Sequence, residues 1–241
     1  MKIKVKVAYD GTQFYGSQEQ TDKKTVVGEL HSVLKQLNIF EQIVMSGRTD
    51  RGVHATGQIF HLDIPQYWNI PNLLYALKRS LPKTISIQNI SEVSQDFHAR
   101  FSAKRRVYRY IFSTSSRNPF EEHFVTFIEN GDFDFAKIKD NINLFQGEHN
   151  FQNFRKLGSD NLSDIREIFK IKAYQFGKYY ILKFEANSFL RSQVRLMVGS
   201  LLSLGYGKIS KFDIENLLFG EKKSLPKIAP PNGLYLAKII Y

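Results

Sequence analysis

Lys2-Ile3-Lys4-Val5-Lys6-Val7-Ala8-Tyr9 alternates lysine at 2, 4 and 6 with the apolar Ile3, Val5, Val7 and Tyr9. Side chains of a strand point alternately to its two faces, so a period of two builds one buried and one wet face. A strand wet on one side belongs in an antiparallel sheet, because parallel sheets are covered on both faces. After a polar loop over 10–24, Val26, Val27, Leu30, Val33, Leu34 and Leu37 recur at three-to-four spacing behind Thr25, the pattern of an amphipathic helix with its N-cap. The short apolar run 43–45 leads into a loop over 47–57. Phe60, Leu62 and Ile64 then alternate against Ile59, His61 and Asp63. Ile70, Leu73, Leu74, Leu77 and Leu81 mark a second helix, opened near Pro71 and stopped by Pro82, and 84–90 reads as a strand.

A second set follows. Strands are expected over 105–113 and 124–128, a helix over 133–145, strands over 166–174 and 179–186, helices over 189–204 and 211–219, and a last strand over 233–240. Both portions mix strands and helices in similar proportion. The expected fold is therefore α+β: two similar halves, 1–100 and 101–241, share one mainly antiparallel sheet flanked by helices. With no low-complexity linker between them, their junction is expected to be a cleft.

Composition restricts the chemistry. Lys and Arg number 34 against 23 Asp and Glu, a formal net charge of +11, while 42% of the 241 residues are hydrophobic and 14% aromatic. So much apolar side chain excludes a disordered or fibrous chain. Cys is absent, which excludes disulfides, thiolate metal sites and a cysteine nucleophile. The lysine-interleaved start offers no secretory signal, and the longest uncharged apolar stretch, 196–206, is short of the roughly 20 residues a membrane span needs. The expected compartment is the cytoplasm, with no membrane partner. A positive excess on such a chain suits a polyanion, RNA or DNA being the commonest, although a merely basic surface gives the same balance.

No His-Glu-x-x-His pair, phosphate loop, dinucleotide loop or serine elbow occurs, so no metal or organic cofactor is expected. Carboxylates remain. Asp50 stands out in Gly47-Arg48-Thr49-Asp50-Arg51-Gly52-Val53-His54-Ala55, with a guanidinium on each side and glycines at the turns. Cations favour the ionised carboxylate, which held in place serves as nucleophile or electrostatic stabiliser; an architectural Asp on a solvated turn is the alternative. Between Phe97 and Phe112, Arg100, Lys104, Arg105, Arg106 and Arg109 interleave with Phe97, Phe101, Tyr108 and Tyr110. Cations for phosphates beside rings for unpaired bases suit RNA. Along 187–199, Leu190, Val194, Met197 and Val198 form a helical stripe, with Arg191 and Arg195 four apart on its flank.

Together these motifs resemble the tRNA pseudouridine synthase A (TruA) family. The likeness runs through Tyr9-Asp10-Gly11 with Tyr15-Gly16, the run Gly47 to Gln58, Asp96 to Ala103, the segment ending in Tyr110, Ala186 to Leu201, and Ala229 to Leu236. It implies an isomerase that converts uridine to pseudouridine in the tRNA anticodon stem-loop, at positions 38 to 40, by base flipping and without a cofactor. It also implies a continuous antiparallel sheet, a catalytic cleft between the halves and a homodimer around the RNA. Residue by residue, Asp50 becomes the nucleophile and Arg48 its neighbour in the signature. Tyr108 becomes the ring against the target base, Arg195 the arginine paired with the catalytic Asp, and Leu234 the apolar residue that closes the pocket. Arg51, His54 and Gln58 join Tyr108 and Leu234 as substrate-binding residues, and Arg100, Lys104, Arg105 and Arg106 contact RNA. Attack of Asp50 on ribose C1′, formation of a glycal, and addition to uracil C6 all remain open. The family usually has Trp where this chain has Ser17, and Ala where it has Arg51; both departures are expected to alter the surface beside the site.

Two other classes compete. A non-catalytic RNA-binding module explains the charge and the rings but not Asp50, and the RNP1 pattern is absent from 105–112. A retaining glycosidase would need a second carboxylate about 5 Å from the first, and none stands out in the signature loops.

Overall fold

The computed structural model describes residues 1–156, 158, 162–220 and 227–241. Contacts divide the chain into two units, Met1–Lys104 with Tyr235–Tyr241, and Arg105–Leu234.

In the first unit the lysine-alternating segment is strand β1 (Lys2–Tyr9), with Ile3, Val5 and Val7 buried and Lys6 exposed. Thr25 caps α1 (Val26–Gln36), its Oγ1 accepting the Gly28 N–H at 3.1 Å. The predicted stripe Val26, Val27, Leu30, Val33 and Leu34 is its buried face. Strand β2 (Val44–Met45) runs antiparallel to β3 (His54–Asp63), and the Asp50 loop joins them. Helix α2 (Ile70–Ser80) starts on Asn69, whose Oδ1 accepts the Asn72 N–H at 2.9 Å, and β4 (Ile85–Glu92) follows.

The second unit holds β5 (Arg105–Ser113), β6 (Thr126–Phe127), α3 (Phe135–Asn141), β7 (Gly147–Asn150), β8 (Ile165–Phe176), β9 (Tyr179–Ala186), α4 (Gln193–Gly205) and α5 (Lys211–Leu218). The final strand, β10 (Leu234–Ile240), belongs from Tyr235 onward to the first unit.

Pairing within the units is mainly antiparallel, and the chain is α+β. Strand β1 lies between β3 and β4, antiparallel to both, so that Val5 stands opposite Phe60 and Ile90. Strand β10 runs parallel to β3, with Tyr235 opposite His54. In the second unit β9 lies between β5 and β8, β7 extends from β8, and β6 adds a short parallel pairing to β5. Phe112, Phe145, Phe151, Phe154 and Phe184 are fully buried there, so the many phenylalanines supply its core.

Three elements differ from expectation. The helix expected over 133–145 is α3, capped by Asp134, followed by a tighter 3-10 turn at Ile142–Phe145. The helix expected to begin at Phe189 begins at Gln193, because Ser192 is left-handed at φ 59° and the Gln193 side chain accepts the Leu190 N–H at 2.7 Å. Leu190 is buried by that turn, which gave it the appearance of a helical position, and Arg191 lies outside the helix that carries Arg195. Strand β7 is too short and polar to show a period. Among the described residues no helix is long and apolar enough to cross a membrane, and no group of three or more His, Asp or Glu could hold a metal ion.

Candidate active site

The Asp50 loop is fixed through its neutral residue. Thr49 turns inward: its Oγ1 shares a 2.8 Å hydrogen bond with the Tyr9 hydroxyl, and its N–H donates to Ser17 Oγ at 2.9 Å. The Thr49 carbonyl accepts the Ser17 N–H at 3.1 Å. With Thr49 buried, Arg48 is left exposed and Asp50 half-buried. Burial pushes the Tyr9 hydroxyl pKa up to about 12, outweighing its hydrogen bonds, of which the one with Thr49 is the strongest.

Both flanks of the loop are tied. On one side the Ser46 N–H donates to the Ile59 carbonyl at 2.8 Å, Ser46 Oγ donates to Gln58 Oε1 at 2.6 Å, and Gln58 Nε2 donates to the Gly47 carbonyl at 2.9 Å. On the other, the Val53 N–H closes a turn onto the Asp50 carbonyl at 3.1 Å, with Gly52 at φ 77°. Gly16 has φ 105°, and a Cβ there would lie 2.7 Å from the Thr49 carbonyl oxygen. The two signature loops pack too closely at that point for any side chain.

The other sequence-derived candidates of this unit fall into two groups. Gln58 and His54 are buried. The His54 ring stacks on Tyr235 at 4.8 Å, and its Nδ1 accepts the Gly11 N–H at 3.0 Å, with an Asp10 carboxylate oxygen at 3.3 Å. Arg51, Arg100 and Lys104 are exposed. Arg51 lies over the Tyr15 ring at 4.3 Å. Arg100 lies beside Phe101, which is 75% exposed and stacked on His98 at 4.3 Å. Ser17 is fully buried, and its hydroxyl belongs to the loop's internal bracing.

In the second unit Tyr108 sits on β5 opposite Phe184, 9% exposed and edge-on to Phe189 at 5.2 Å. Arg105 pairs with Glu185 at 2.9 Å, and Arg106 donates to the Asn187 carbonyl at 2.7 Å. Arg195, in the first turns of α4, donates from Nε to the Ala229 carbonyl at 2.8 Å, and the Ala229 N–H returns to the Arg195 carbonyl at 3.1 Å. The neighbouring Tyr110 hydroxyl bonds Thr126 Oγ1 at 2.9 Å and donates to the Pro230 carbonyl at 3.1 Å. Burial raises the Tyr110 pKa well above the ordinary range although the Arg195 charge opposes this. Asn232 completes the bracing, accepting from Thr126 at 3.0 Å and donating to the Glu122 and Val125 carbonyls at 2.7 and 3.0 Å. Leu234, buried, follows directly. The roles of Thr49, Tyr9, Tyr110 and Asn232 escaped the reading of the sequence; all four sit inside quoted motifs, but nothing local distinguishes a bracing polar side chain from a wet one.

The family model for tRNA pseudouridine synthase matches residues 6–102 and 142–241. A relative named tRNA pseudouridine synthase A from Campylobacter jejuni (strain RM1221) is 40% identical over 242 residues, covering 100% of both chains. Relatives of the same name from Wolinella succinogenes and Bacillus licheniformis are 36% and 34% identical, covering 97% and 100% of this chain and 92% and 99% of their own. The chain belongs to the tRNA pseudouridine synthase family. It is an isomerase that acts on the uridines of tRNA.

Proposed function

We propose that the chain isomerises uridines 38 to 40 of the tRNA anticodon stem-loop, with Asp50 as nucleophile on a flipped-out nucleotide. The observation that carries this reading is the placement of a carboxylate, Asp50, on a loop pinned by buried hydrogen bonds at Thr49 and at both flanks. A carboxylate fixed in this way is ready to react without reorganising.

In the reaction the bond between ribose C1′ and uracil N1 breaks, the base turns, and C1′ bonds to C5. The C5 hydrogen leaves as a proton and N1 gains one, so atoms and charge balance. Unstacking the nucleotide costs a few kcal/mol, which phosphate contacts to a surface of net charge +11 offset. Arg195 pairs with the carboxylate, Tyr108 lies against the base and Leu234 closes the apolar side. Arg48 and Arg51 face the RNA, Gln58 and His54 join Tyr108 and Leu234 in holding the nucleotide, and Arg100, Lys104, Arg105 and Arg106 meet the phosphates. The working form is a cytoplasmic homodimer.

Replacing Asp50 by Asn or Ala is expected to abolish pseudouridine formation in an unmodified tRNA while melting temperature and tRNA affinity stay near wild type. A folded Asp50→Asn protein that still turns over removes Asp50 as nucleophile. Pseudouridine mapped outside the anticodon arm overturns the substrate assignment alone. Release of free uracil, in place of release of the C5 hydrogen, overturns isomerisation in favour of hydrolysis.

A further inference from the structure

Arg51 follows Asp50 directly, and its guanidinium lies 4.3 Å from the centre of the Tyr15 ring. The Lys23 ammonium reaches the same ring at 5.0 Å. Among the described residues neither cation has an ion-pair partner within 4.0 Å: Lys24 takes Glu29, and Glu19 takes His31. The backbone that carries the ring is itself fixed, because the Tyr15 N–H donates to the Lys24 carbonyl at 2.9 Å and Gln20 donates to the Tyr15 carbonyl at 2.8 Å. Next to it Gly16 packs on the Thr49 carbonyl, so ring and Asp50 loop share one rigid base.

Two positive charges gathered on one ring repel each other, and the face of the ring compensates only in part. An anion within reach of both cations lowers that repulsion. A phosphodiester fits: the planar guanidinium presents paired N–H donors to phosphate oxygens, and the ammonium adds a point charge. We propose that Arg51 and Lys23, held on Tyr15, form a two-cation cradle for a backbone phosphate of the tRNA strand beside the reacting nucleotide. The phrase "beside the reacting nucleotide" rests on Asp50 being the reacting carboxylate; the cradle itself does not. It supplies affinity and register, leaving the chemical step to the Asp50 loop.

The test is filter binding of an unmodified tRNA transcript between about 50 and 200 mM salt, where each phosphate contact contributes a fixed slope to log affinity against log salt. The double variant Arg51→Ala/Lys23→Ala is expected to lower that slope by about one, the share of the single phosphate that both cations hold, and each single variant by no more than that; a loss of about two in the double variant means two separate phosphates and overturns the cradle. Arg51→Lys keeps the slope but binds more weakly, having lost the planar stack. Tyr15→Leu keeps both charges and also binds more weakly at unchanged slope. Arg51→Gln replaces Arg51→Ala should the latter fold poorly. Wild-type affinity and slope in the Arg51 variants, or wild-type affinity in Tyr15→Leu, overturns the cradle. Asp50→Asn separates the two readings: turnover by that variant overturns the nucleophile assignment, while the slope of the Arg51 variants still decides the cradle.

Discussion

The Thr49 backbone N–H is buried and has Ser17 Oγ as its hydrogen-bond acceptor. Removing one partner of such a bond strands the other, at a cost of about 1–3 kcal/mol. Ser17→Ala is therefore expected to destabilise the chain by that amount, lowering the melting temperature by about 2–4 °C for each kcal/mol in a protein of this size. Turnover should fall with it, because the freed N–H belongs to the residue before Asp50; an unchanged melting temperature in a calorimetric scan contradicts the bracing role. The sequence shows Ser17 only as a departure from a motif, and a small polar residue beside a functional loop reads as surface. Its partner lies 32 residues away, a separation that no local period bridges. Asp50 itself was legible, because charge bracketing is local.

At the scale of elements, α4 separates two opposing effects. Gly199 lies in the interior of this helix, where Ala would gain about 1 kcal/mol of propensity. A Cβ at that position, however, would run into the backbone carbonyl of Lys227. Backbone cannot step aside as a flexible side chain can, so the clash outweighs the propensity. Gly199→Ala should lower the urea midpoint, and a raised midpoint would mean that the 227–229 segment moves freely from the helix. The 229–236 run was legible as a motif; that its first residue, Ala229, lies on Arg195 and Gly199 was not. Helix starts followed the same division. Thr25 caps as its spacing suggests and α2 opens beside Pro71, since these signals are local, whereas α4 begins four residues late because a buried glutamine side chain captures the Leu190 N–H.

Across the whole molecule, burial raises the hydroxyl pKa of Tyr9, Tyr110 and Tyr235. The unfolded chain loses these protons near pH 10, while folded Tyr9 holds its own to about 12. Above pH 10 the folded state therefore binds more protons than the unfolded one, and stability falls as pH rises, by about 1.4 kcal/mol per pH unit for each such tyrosine. Urea midpoints between pH 9 and 11.5 should decline, and Tyr9→Phe should decline less steeply than wild type; equal slopes contradict a raised Tyr9. The sequence by itself determined the α+β class, most strands and helices, the basic balance and the single bracketed carboxylate, because residue period and charge are properties of neighbours along the chain. Tertiary structure alone decided which polar side chains are buried and what they bond: Tyr9 to Thr49 across 40 residues, Asn232 to Glu122 across 110. Serine, threonine, tyrosine and asparagine suit water and interior alike. Only the register of paired strands and the packing of loops on them assigns each to one or the other.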